Sequence, residues 1–343
     1  MKLGIYLNSQ HPENDDPARR MAETLEQVRM VRTLGFDSIW AGEHHVTPGF
    51  HFFPQMALLQ RVAAEAEGLW IGTNVNLLPL HNPVELAEVG AFMDVVTGGK
   101  FLLGVGLGYR REEFEIYRVP MAERTSRLTE GIEIIKRLWG EDRITHRGRH
   151  WQFTDASIRP RPLQSPRPPI IVGGQVEASI KRAATIGDGW LVVPIPTLDQ
   201  LAENISTYRS ARSAAKLPTS QNICRLLEVG CAADDETAFR RVAPYLMEKY
   251  RSYLSWGLEG LTLDPNATPE QQFRSLATNR FAVGAPDKVI EMLVAQHRAG
   301  ITHLSMRVSW PGMAQSHILA GIELLGRDVL PVVRRKTSSA MPA

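Results

Sequence analysis

The sequence predicts an α/β fold, a (β/α)8 TIM barrel with insertions. Three observations carry this reading. Eight short apolar segments alternate with segments of helical periodicity along the 343 residues. Each crossover between successive strands is long enough to return the chain to a parallel neighbour. The first strand, KLGIYL, runs into NSQHPENDD, with no trace of the glycine-rich loop that opens a doubly wound sheet.

The elements follow in order. After KLGIYL, the run ARRMAETLEQVRMVRTLG places Met21, Leu25, Val28, Val31 and Leu34 at helical spacing, with Gly35 as its stop. FDSIWA is the second strand and PQMALLQRVAAEAEG the second helix. LWIGTNVNLLPL reads as a long third strand, and Asn82, Pro83 and Glu85 open the helix VELAEVGAFMDVV. KFLLGVGLG and ERTSRLTEGIEIIKRLWG are the fourth pair, PPIIVGG and VEASIKRAATIG the fifth. DGWLVVPI is the sixth strand, and Thr197 with Gln200 caps the helix after it. NICRLLEVGCAA, the seventh strand, precedes the helical run DETAFRRVAPYLMEKYRSYLSW; DKVIEMLVAQHRAG leads to the eighth strand ITHLSMRVSW and a last helix. The domain spans residues 1–335, with insertions at about 140–168 and 258–284, and the tail 336–343 reads as disordered.

Composition narrows the function classes. With 39 basic and 37 acidic residues the net charge is +2, which offers no field for nucleic acid or an anionic membrane. The two cysteines, Cys224 and Cys231, exclude a disulfide framework and fit reduced thiols in a cytoplasmic protein. No apolar run reaches the roughly 18 residues of a membrane span, and MKLGIYLNSQ lacks a signal-peptide core.

In such a barrel, function gathers where the strands end. WAGEHH closes the second strand with Glu43, His44 and His45. Adjacent residues at a strand end point to opposite sides, so one histidine faces the barrel mouth and a two-histidine metal site is disfavoured. A structural histidine and a proton-transferring one both remain, and the top-face position favours the second. Asn74 and Asn76 are polar groups in an apolar strand. Gly104, Gly106 and Gly108 offer flat backbone for a planar ring. Gly174, Gln175, Val176 and Ser179 lie between a strand and a helix, where free N–H groups and the helix dipole make a phosphate site; a plain tight turn is the alternative. Tyr109, Arg110 and Arg111 read as an anion clamp or as a solvated loop.

Five stretches together carry a resemblance: GFDSIWAGEHH, IGTNVNLLPLHNPVELAE, GGKFLLGVGLGY, IIVGGQVEASIKRAATIGDGW and WPGMAQSHILAGIELLGRDVLP. In this order they resemble the bacterial luciferase-like flavin-dependent monooxygenase family, over roughly residues 1 to 335. The resemblance implies that FMN arrives as FMNH2 from a separate flavin reductase, reacts with O2 at flavin C4a, and that the peroxide oxygenates a small organic substrate. It implies that His44 is catalytic, that Asn74–Val75 is a non-proline cis peptide under the ring, and that Gly174, Gln175, Val176 and Ser179 cradle the phosphate. Gly106 stands where luciferase has a reactive cysteine and Leu107 where it has a phosphate-binding arginine, so Arg110 or Arg111 would meet the phosphate charge. Tyr109, Trp190 and Trp310 are expected in the substrate pocket, the two tryptophans being as well explained as core. A homodimer is implied, formed through helices near strands two and three, with an apolar face on PQMALLQRVAAEAEG. An F420-dependent oxidoreductase on the same fold, and a flavin-binding protein without turnover, are the alternatives. The segment 258–284, with little to bury, reads as a lid or as a surface excursion.

Overall fold

A computed structural model describes residues 1–220 and 222–338. Eight parallel strands lie in it: β1 (Lys2–Leu7), β2 (Ser38–Ala41), β3 (Trp70–Thr73), β4 (Phe101–Val105), β5 (Ile170–Gly173), β6 (Gly189–Val192), β7 (Asn222–Cys231) and β8 (His303–Arg307). Each pairs with its neighbours in chain order, β1 pairs with β8, and β6 pairs with β7, so the sheet closes into a barrel. Helices form the outer ring, and the strand period of two divides the apolar residues between two cores. Leu3, Ile5, Ile39, Leu103 and Val172 pack outward against the helices. Tyr6, Trp40, Leu102, Ile171, Leu191 and Leu226 fill the barrel interior. Trp40 takes its room from Gly72, where a Cβ would collide with the indole.

The helix starts follow the sequence signals. Asp16, Asn82, Thr197, Asp234 and Thr268 each accept a backbone N–H of their own first turn. Cys224 and Cys231 are free and buried. No helix among the described residues is long and apolar enough to cross a membrane.

Four expectations change. The third strand stops at Thr73: its hydroxyl donates to Gly104 O (2.7 Å) and accepts from Gly104 N (2.8 Å), bonding the chain to β4 through a side chain. Asn74, Val75 and Asn76 therefore lie beyond the strand, with Asn74–Val75 cis as the resemblance implies. A short helix, Arg111–Ile116, forms where the sequence reads as a loop. The 258–284 segment contains the helix Pro269–Ala277, whose Phe273 and Leu276 are buried, and the strand Ala282–Gly284, which pairs in parallel with Val229–Cys231 of β7. The last helix continues to Thr337, so Lys336 and Thr337 are not tail; 339–343 lie outside the described residues. The 140–168 insertion does carry an antiparallel hairpin, Ile144–Arg147 with Gln152–Ala156.

Candidate functional site

The strand ends open into a cavity of about 430 Å3. The wall from β3, β4 and β5 presents Val75, Gly106, Leu107 and Gly173. A Cβ on Gly106 would stand 2.6 Å from Val75 Cγ2, so only glycine leaves this strip flat. The wall from β1, β7 and β8 presents Tyr6, Leu226 and Arg307. Tyr253, from the long helix Asp235–Ser255, and Leu258–Gly260 complete the lining.

His44 and His45 separate as the strand geometry requires. His44 lines the cavity, with its Nδ1 3.0 Å from Glu113 Oε1. Phe52, Tyr109, Tyr253 and Trp256 surround its ring edge-on at centroid distances of 5.6–5.8 Å. Glu113 is fully buried, and Oε1 also accepts the backbone N–H of His45 at 2.8 Å. His45 turns to the other side, where Tyr117 OH meets its Nδ1 (2.8 Å) and Nε2 stands 3.3 Å from Glu43. Glu43 is buried; it takes His81 Nε2 at 2.9 Å and Leu77 N at 2.6 Å. Burial alone would raise the Glu43 carboxyl, but bonding to His45 and His81 overrides it and brings the pKa down to about 2. The ligand atoms of Glu43, His45 and His81 lie within 4.8 Å of one another, close enough to share a cation. As they stand, Glu43 bonds His81 and the Leu77 N–H, with His45 close beside it, and this ties down the turn that carries His44.

The turn after β5 is closed on itself. Ser179 Oγ accepts from Gln175 N (2.9 Å) and Val176 N (3.0 Å) and donates to Val176 O (2.7 Å), while Gly174 N bonds Leu191 O (3.3 Å). The four donors expected to face a phosphate thus have internal partners, because Ser179 stands in the first turn of Glu177–Ile186 and reaches back. The first-turn N–H groups of Glu177 and Ala178 have no intrahelical acceptor.

Three assignments need correction. Trp190 and Trp310 do not line the cavity: both are buried core residues. Trp190 stacks on Tyr208 and holds Gly174 O at 2.9 Å from behind the turn, and Trp310 donates to Glu228 Oε2 at 2.8 Å. Asn76 is fully buried against Gln55 and β4, and only Asn74 and Val75 reach the cavity. Arg110 meets no phosphate site: it donates to His45 O and Val46 O and lies over Trp256, while Arg111 is exposed. Tyr109 does line the cavity, and burial raises its phenol well above the usual range.

Sequence reasoning missed a charged cluster in the opposite wall. Glu228 of β7 pairs with Lys249 at 2.5 Å and accepts from Tyr250 OH at 3.3 Å, and Arg307 of β8 stands beside them, 4.3 Å over the Tyr6 ring. Burial and Arg307 push Lys249 down, against the pull of Glu228. Burial would also lower Arg307, but its neighbours, Glu228 among them, outweigh it and raise the guanidinium above its usual value. Charges inside the apolar strands LLEVGC and HLSMR were the available signal, the same one that marked Asn74.

A family model described as luciferase-like monooxygenase matches residues 1–303. The chain belongs to this family. It is 25% identical over 351 residues to the oxygenase component of a flavin-dependent trigonelline monooxygenase of Acinetobacter baylyi, covering 96% of this chain and 95% of that protein. It is 26% identical over 325 residues to an F420-dependent glucose-6-phosphate dehydrogenase of Amycolatopsis mediterranei, covering 91% and 94%. The solved monooxygenase RslO1 of Streptomyces bottropensis superposes with a TM-score of 0.84 at 24% identity, covering 96% and 99%, which establishes the shared fold.

A flavin-type cofactor fits the luciferase-like cavity on its own features. The volume falls within the roughly 300–1,000 Å3 of small-molecule sites. The Gly106–Val75 strip is flat, a helix N-terminus stands at its edge, and two buried polar atoms along the lining, Asn74 Nδ2 and the Tyr109 hydroxyl, have no partner.

Proposed function

We propose that this luciferase-like oxidoreductase is an FMN-dependent monooxygenase, the oxygenase of a two-component system that receives FMNH2 from a separate reductase. When bound, reduced FMN supplies the electrons that activate O2 for transfer to a small organic substrate. The observation that carries the reading is the setting of His44: one imidazole on the cavity, bonded to buried Glu113 and closed in by four aromatic rings. Oxygen activation loses its electrons to hydrogen peroxide when water and stray protons reach it, so a dry wall with one held proton donor suits it. In this reading His44 moves the proton, Glu113 orients it, and Asn74 and Tyr109 bond the polar edge of the ring. Gly106 and Val75 support its face. Gly174, Gln175, Val176 and Ser179 meet the phosphate once Ser179 Oγ gives way.

The F420 reading keeps one observation in its favour: an F420-dependent relative matches at 26% identity, beside 25% for the flavin-dependent monooxygenase. Anaerobic titration with FMNH2 and with reduced F420, followed by an O2 pulse, separates the two. Saturable FMNH2 binding with O2-dependent reoxidation supports the proposal. Tight binding of reduced F420 alone, inert to O2, overturns it.

A further inference from the structure

The wall of the cavity away from the phosphate turn holds an unmatched cation. Glu228 is committed: Oε1 to Lys249 and Tyr250, Oε2 to Trp310. Among the described residues Arg307 forms no ion pair, and its buried Nε has no hydrogen-bond partner. The side chain is 5% exposed and lines the cavity, flanked by the rings of Tyr6 and Tyr253. A buried charge without a counter-charge is costly, and a guanidinium presents a planar fork that a carboxylate matches. The one carboxylate beside Arg307, Glu228, is already paired with Lys249, so the guanidinium has no anionic partner of its own. The rest of this wall, Leu226, Tyr250 and Tyr253 with Ile195 and Leu258, is apolar or aromatic.

We infer that Arg307, backed by the Glu228–Lys249 pair, forms an anion subsite, and that the organic substrate is a small carboxylate with an apolar body. Calling the ligand a substrate rests on the proposed oxygenase function; the subsite itself does not. In the closed eight-strand sheet β8 lies across from β4 and β7 across from β3, so an anion held by Arg307 occupies the side of the cavity facing the flat Gly106–Val75 strip, where its body would lie between the two walls. An alternative source of the same charge is the cofactor itself, through the anionic edge of a reduced flavin ring, and the test distinguishes them.

Calorimetric titration of the protein without cofactor, and again saturated with FMN, would use benzoate and octanoate against the neutral benzamide and octanamide. The expected result is at least a tenfold preference for the carboxylates in both forms, lost in Arg307→Gln and partly kept in Arg307→Lys, with FMN affinity unchanged in either variant. Equal binding of acids and amides by the unaltered protein overturns the subsite, and this comparison stands even if Arg307→Gln fails to fold. A loss of FMNH2 affinity in Arg307→Lys with the carboxylate preference intact assigns the residue to the cofactor and overturns it as well. Because no turnover is read, carboxylate preference in a protein that never reoxidises FMNH2 would keep the subsite and sink only the oxygenase reading.

Discussion

One oxygen of Glu113 serves two donors 68 and 69 residues away: His44 Nδ1 at 3.0 Å and the backbone N–H of His45 at 2.8 Å. An oxygen that accepts from the His45 N–H also accepts from His44, which places the ring proton of His44 on Nδ1 and leaves Nε2 as the nitrogen free to take another. His44→Ala should lower kcat by about 100-fold or more while FMN affinity changes little. Glu113→Gln keeps the shape but loses the charge that selects the tautomer; it should cost about tenfold or more in kcat and move the pH–rate profile. Unchanged turnover in His44→Ala removes the residue from the mechanism.

The turn after β5 should prefer FMN to riboflavin. Its donors are at present satisfied by Ser179 Oγ, so a phosphate gains them by displacing a neutral acceptor with a charged one. Ser179→Ala frees the Gln175 and Val176 N–H groups, and Gly174→Pro removes a donor and should weaken FMN selectively. Comparable dissociation constants for riboflavin and FMN would show that no anion is held there.

Much of the fold and part of the site are legible in the amino-acid order alone. Apolar strand runs, cap residues and the strand–turn–helix at Gly174 are local patterns, and local patterns survive into the fold. The opposite aims of His44 and His45 follow from pleat geometry. Glu113 does not show, since a carboxylate in RREEFEI resembles its solvated neighbours until a long-range contact buries it. Trp190 and Trp310 mislead for the converse reason: position near a strand end does not tell which side of the wall a large ring takes.

Acid should destabilise the fold from about pH 6.5 downward. Burial and the charge of Arg20 lower His11 to about 4; burial and Lys2 lower His303 to about 3. A base whose folded pKa is depressed binds fewer protons folded than unfolded, so its contribution is complete above the unfolded value and is lost as pH falls toward the folded one. Each group then removes about 1.4 kcal/mol per pH unit inside its window. Glu43 adds to the loss below about 4.5, whereas His81, raised by Glu43 against its own burial, acts in the opposite sense as pH climbs above its usual value. Urea unfolding at pH 5, 6 and 7 should give a shallower slope for His303→Gln; an identical slope would refute the assignment.

The dimer face should lie on the helix Pro83–Val96. The helix Gln55–Ala63, expected to supply it, turns Leu58, Leu59 and Val62 into its own core. Phe92 and Val96, one turn apart, are instead 47% and 44% exposed. Sedimentation at micromolar concentration should show a dimer that Phe92→Asp dissociates, and a monomer in the unaltered protein would end the idea.

Residues 257–260 should act as the moving edge of the cavity. Gly257 and Gly260 have φ of +90° and +83°, conformations other residues rarely adopt, and between them Leu258 and Glu259 line the cavity. A single bond, Gln175 Nε2 to Glu259 O at 3.1 Å, ties this edge to the turn after β5. The stretch that follows, up to the Thr268 cap, has neither helix nor strand, and Asp264, Pro265 and Asn266 are exposed. The helix beyond it is pinned by Phe273, so motion is confined to the part before Thr268. Protease should therefore cut near Asn266–Pro269 in the free protein, and bound FMN should protect the site by holding Gln175 and the 258–260 edge together. Shortening 261–267 should raise hydrogen peroxide release per FMNH2 consumed while FMN still binds. Cleavage indifferent to FMN, together with unchanged peroxide release in the shortened protein, would make this segment a passive surface and shift attention to the hairpin Ile144–Ala156.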